Sequence, residues 1–83
     1  MELYEFQERN RVVATATVVD NLGRSFPAGT EFIIDEVDTE GTLYGPCLYP
    51  AGSARCDATW FYWAGSKYNE IPACAGKFER VSA

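Results

Sequence analysis

Three thiols (Cys47, Cys56 and Cys74) and twelve carboxylates are the groups with chemistry to offer, and no histidine accompanies them. A thiol becomes a nucleophile when a nearby base or cation draws off its proton. Without histidine the commonest general base near neutral pH is missing, and so is a common nitrogen ligand for zinc. Arg55 beside Cys56 is the one neighbouring pair that favours a thiolate, and adjacency in sequence is not geometry. An odd cysteine count with no CxxC speaks against a closed disulfide framework and against a four-cysteine zinc site. Free thiols in a reducing compartment are the reading adopted; the alternative is one disulfide with one thiol left over.

The carboxylates are unevenly spread. Nine of the twelve lie within residues 1–40, and four of these, Asp35, Glu36, Asp38 and Glu40, crowd the stretch "IDEVDTEG". Acids at positions one, two, four and six of "DEVDTE" do not match the alternating ligands and central glycine of a calcium loop. The run reads instead as a charged turn that discourages edge pairing, or as a negative surface that steers a basic partner. "FPAGT" (residues 26–30) is a turn, with neither P-loop nor GxGxxG spacing. Catalytic residues, cofactors and metal are therefore each expected to be none.

The aromatic run "ATWFYW" (residues 58–63) poses a different problem. On a strand, Trp60 and Tyr62 point to one face, Phe61 and Trp63 to the other. Burying one such ring stabilises by roughly 4–6 kcal/mol before entropy, and a small domain has one core for one face. Either the second pair lies under Leu3, Tyr4, Phe6 or Phe26, or it is an exposed anchor for a partner, since Trp and Tyr are enriched at binding hot spots. Trp60 and Tyr62 are favoured as the outward pair, because their N–H and O–H tolerate water better than a phenyl ring does.

The elements that must position these groups read as β. "RVVATATVV" (residues 11–19) is rich in β-branched residues, with Val12, Ala14, Ala16 and Val18 as its core face. "DNLGRSFPAGT" carries turn chemistry. "EFIIDEV" (residues 31–37) alternates with Phe32 and Ile34 on one face, and "DTEG" (residues 38–41) is a tight hairpin turn. "TLYGPCLY" (residues 42–49) pairs back, interrupted, bulged or at an edge near Pro46, which cannot donate to a ladder. Residues 58–63 and "KFERV" (residues 77–81) follow as strands. "ELYEFQERN" fits a short edge strand or one helical turn. The chain's 83 residues make one domain, 1–83, and 47% hydrophobic against 23% charged residues excludes disorder.

The order of elements resembles that of SH3-like small barrels. "VVATATVVDN" stands as the first strand, "LGRSFPAGT" as the long loop after it and "GTEFIIDEVD" as the second strand, ended by an acidic turn. "IPA" (residues 71–73) sits where such barrels make a one-turn 3₁₀ helix before the last strand. No ALYDY-like run follows the first strand and no Tyr follows Pro72. The resemblance is thus to the wider class found in prokaryotic and phage accessory proteins. It implies an all-β barrel of about five strands with a short 3₁₀ turn before the last, and no functional residue is carried over.

A net charge of −5 argues against nucleic acid, whose phosphates need clustered Lys and Arg. No stretch approaches the ~20 apolar residues of a membrane span and no signal peptide is apparent, so a cytoplasmic protein is expected. The expected function is a non-enzymatic protein-binding module, in its sharper form a small acidic, phage-encoded inhibitor or regulator of a nucleic-acid-handling protein. Its partner-binding residues would be Trp60, Tyr62 and Trp63, rimmed by Asp35, Glu36, Asp38 and Glu40. The rivals are an assembly subunit of a homo-oligomer or larger complex, and a single-strand nucleic-acid binder that stacks bases on the aromatics.

Overall fold

A computed structural model describes residues 1–39 and 44–81. Among the described residues there are seven strands: β1 (Arg11–Ala14), β2 (Val18–Val19), β3 (Ser25–Phe26), β4 (Glu31–Val37), β5 (Tyr44–Pro50), β6 (Thr59–Tyr62) and β7 (Phe78–Arg80). Five of them form one antiparallel sheet in the order β6-β5-β4-β1-β7, while β2 and β3 make a separate two-stranded hairpin. The all-β class is as expected. Among the described residues no helix is long and apolar enough to cross a membrane.

Alternation builds the core. Phe32 and Ile34 of β4, Leu48 of β5, Phe61 of β6, Phe78 of β7 and Val12 and Ala14 of β1 all point inward and are buried. Phe32, Phe61 and Phe78 meet edge to face, with centroids 5.4–6.0 Å apart. This is the arrangement that the ring quadrupole favours. Val18 joins them from the hairpin, and Phe6 and Cys74 close the cluster.

The strand expected over residues 11–19 is two strands. Its ladder partners differ between the two: β1 lies between β4 and β7 and pairs with both, whereas β2 pairs with β3. Residues 15–17 bend there, and Ala16 is only half-buried while Val12, Ala14 and Val18 are fully covered. In the hairpin that follows, the Asp20 carboxylate is 0% exposed. It accepts the backbone N–H of Leu22 and of Arg24, the Arg24 guanidinium (2.8 Å) and the Thr59 hydroxyl (2.9 Å). One side chain thereby shapes the turn and fastens the hairpin to β6.

Two expectations need correction. The barrel is not closed: β6 and β7 stand at opposite ends of the sheet, with no ladder between them. Both strands are short, and segments outside the five-stranded sheet take carbonyls of β6 and of Trp63 just past its end instead. Cys74 N–H donates to Tyr62 and Ala75 N–H to Trp63 (each 3.1 Å), and Asn21 N–H reaches Trp60 (2.8 Å). The 3₁₀ turns, moreover, lie at Leu3–Glu5 and Arg55–Asp57, not at residues 71–73. Ile71 instead forms a β-bridge with Ser66 across a turn, and that pairing holds the backbone extended where a 3₁₀ turn was expected. Gly65, at φ +83°, starts this excursion with no room for a Cβ against the Ala73 backbone.

The N-terminus makes one helical turn rather than an edge strand. Phe6 behind it is buried, and Arg80 donates to the Glu5 carbonyl (3.1 Å). Arg9 and Asn10 are tied to β4 through Arg9 N–H to the Ile34 carbonyl (2.7 Å) and Ile34 N–H to the Asn10 carbonyl (2.9 Å). Turn residues 38–41 lie partly outside the described residues; Asp38 N–H donates to the Gly45 carbonyl (3.0 Å) and starts the return of β5.

Candidate partner-binding face

Register decides which side chains share the outer face of β4, β5 and β6. Ile34 pairs with Leu48, both inward. A bulge between Ile34 and Glu36 then sets Glu36 opposite Cys47, and Cys47 is in turn opposite Trp60. Since Leu48 and Phe61 point inward, their neighbours Cys47 and Trp60 point outward. Glu36, Cys47 and Trp60 therefore form one rung across three strands. A second irregularity, between Tyr44 and Cys47, sets Tyr44 opposite Tyr62 on the same face. It falls at Gly45-Pro46, where the missing proline N–H makes a regular ladder impossible.

The outward aromatics touch one another. Tyr44 and Tyr62 stack at 5.2 Å with their planes 16° apart, and Trp60 lies tilted against Tyr44 at 5.7 Å. Tyr62 is nevertheless buried, at 6% exposure. Burial, then the Tyr44 side chain beside it, raises the pKa of its hydroxyl, and a hydrogen bond from Asn69 acts the other way. Tyr62 is thus not the open anchor expected of it: Tyr44 and the turn around Asn69 cover it. Trp60 stays half-exposed.

Trp63 lies on the other side. It packs edge to face on Phe6 at 5.4 Å and leans on the core cluster. Gly45 passes beneath it so closely that an added Cβ would stand 2.8 Å from the Trp63 Cβ. The cover foreseen from the N-terminal segment is real, but it shields the inward pair through Phe6, while Tyr4 is exposed.

The acidic rim is only partly a rim. Asp35 forms ion pairs with Arg9 (3.6 Å) and Arg55, and its side chain is 14% exposed. It ties the N-terminal segment and the loop before β6 to β4, and little of its charge faces solvent. Glu36 is exposed and has no ion pair among the described residues. Asp38 is half-buried and has an interaction partner. Glu40 lies outside the described residues.

The thiols divide by burial. All three are free; Cys47 and Cys74 are buried and Cys56 is exposed. Burial, followed by the charges of Asp35 and Glu36, pushes Cys47 up to about 11. Burial also raises Cys74, whose thiol faces the Val19 carbonyl at 3.6 Å. Neither is a thiolate near neutral pH. Arg55 is engaged with Asp35, so it is not held in reserve for Cys56.

Tyr44 and Arg9 are contributors that the sequence did not single out, and Arg55, noted there beside Cys56, serves Asp35 instead. Tyr44 carried a faint signal, as an aromatic in the strand that pairs back, but the shift at Gly45-Pro46 concealed its partner. Fold and face together define an all-β domain with an aromatic row on the outside of its sheet. Comparison with protein families, with curated proteins and with solved structures finds no match.

Proposed function

We propose that this chain is a non-enzymatic protein-binding module of SH3-like type, acting in the cytoplasm as a small acidic regulator of a nucleic-acid-handling protein. The observation that carries the reading is Trp60. It stays half-exposed on an outward aromatic row while Phe61, the next residue on the same strand, is fully buried. An indole left partly in water beside Tyr44 offers what binding hot spots are made of. The succession of strands, with a long hairpin-bearing loop after the first and a short last strand beside it, supports the SH3-like assignment. The exposed Glu36 and a net charge of −5 favour a basic partner, and surfaces that bind nucleic acid are basic ones.

Immobilised wild-type and Trp60→Ala proteins, each checked for folding by circular dichroism, test this in a nuclease-treated bacterial lysate at low and high salt. The expected result is a protein held by wild type at low salt, released at high salt and absent from Trp60→Ala. Identical retention by both would overturn the assignment of the surface.

A further inference from the structure

We propose that the rung Glu36–Cys47–Trp60 receives an arginine side chain from an extended basic segment of the partner. This rests on the protein-binding reading above and names what that surface recognises.

Adjacent strands lie about 4.8 Å apart, so Glu36 and Trp60, two strands from each other, are separated by about 10 Å at the backbone. Cys47 fills the floor between them as a neutral thiol, 6% exposed. A planar guanidinium laid over that floor meets a carboxylate on one side and an indole on the other. The carboxylate supplies a charge-assisted hydrogen bond and the indole a cation–π contact. Glu36 lies close enough for its charge, after burial and the charge of Asp35, to add to holding the Cys47 proton in place.

The molecule already contains this trio elsewhere. Arg24 donates to the Asp20 carboxylate at 2.8 Å while its guanidinium carbon lies 5.6 Å from the centroid of the Phe26 ring. There the chain supplies carboxylate, guanidinium and ring together. At Glu36 and Trp60 it supplies the carboxylate and the ring. The chain's own nearby guanidiniums, Arg9 and Arg55, are held by Asp35. Arginine is favoured over lysine because a flat, weakly hydrated cation stacks on an aromatic face, whereas an ammonium is strongly hydrated.

The test is NMR on the ¹⁵N-labelled full chain, following the two indole N–H resonances, with Trp63 as internal control. The probe is acetyl-Arg-Gly-Arg-Gly-Arg-amide, beside the same peptide with citrulline or lysine in place of arginine. The arginine peptide is expected to shift the Trp60 indole in a saturable way and leave Trp63 in place. The citrulline peptide should have no effect and the lysine peptide should bind more weakly. Glu36→Gln should weaken the arginine peptide about three-fold, and Trp60→Leu, which keeps an apolar cover, should abolish the shifts that the peptide causes at the Glu36 and Cys47 backbone amides. Equal shifts with citrulline would overturn the proposal. So would an unchanged affinity in Glu36→Gln, a stronger Trp60 response to oligo-dT at the same salt, or a mass showing that a second copy already covers the face. If the lysate partner still depends on Trp60 while the arginine peptide is inert, the arginine site falls and the protein-binding reading stands. If that partner is insensitive to Trp60 as well, both fall.

Discussion

β6 supplies rings to two clusters that differ in kind. On the inside, Phe61 meets Phe32 and Phe78 edge to face, every ring is fully buried, and no polar atom needs a partner. On the outside, Trp60 and Tyr62 meet Tyr44 in stacked and tilted contacts, each ring has a polar handle, and burial falls from Tyr62 to Trp60. The inner cluster is a packing solution in which a lost ring leaves a void. The outer one is a surface whose rings shield each other and leave one edge for solvent. Consecutive residues of one short strand thus serve stability and availability by turns.

The contrast is open to attack by substitution. Phe61→Ala should have the largest effect, about 3–5 kcal/mol lost in denaturant unfolding, because its site is closed on all sides. Gly45→Ala should cost about 1–3 kcal/mol by driving a methyl group into the Trp63 side chain; a neutral result would mean that the inner side is loosely packed near its rim. Trp60→Ala should cost only about 1–2 kcal/mol, mostly ring contact with Tyr44. A loss equal to that of Phe61→Ala would erase the distinction between the two faces.

The smallest effect is a pH dependence. Cys47 has its folded pKa raised to about 11 from 9.0, so above pH 9 the unfolded chain releases this proton more readily than the native one. Its contribution to stability is complete below pH 9 and is lost as pH rises toward 11. Cys74 shifts in the same direction for the same leading reason. Iodoacetamide at pH 8 should modify Cys56 quickly and the other two only as fast as the protein opens. Rapid labelling of Cys47 would show that its outer cover is thinner than the aromatic row implies.

Much of this was legible in the sequence, and unevenly. Period-two spacing identified Phe32 and Ile34 as core and placed Trp60 and Tyr62 opposite Phe61 and Trp63, because alternation is local. It placed Ala16 in the core and missed the bend at residues 15–17, which separates a strand paired with the distant β4 and β7 from one paired with β3. The burial of Tyr62 depends on Tyr44 and on the turn around Asn69. The pairing of Asp35 with Arg9 and Arg55 depends on a bulge and two loops. Neither had a local signature, so the site read from sequence was richer in open charge and open aromatic surface than the folded one.

The backbone bonds that Asn21 and Cys74 make to β6, and Ala75 to Trp63 just past its end, have a consequence for assembly. A visiting peptide cannot lengthen the sheet there, because the acceptors an added strand would use are already occupied. Whatever binds near β6 must read the side chains on its outer surface, and the specificity of such an encounter is written in rings and charges instead of in main-chain pairing.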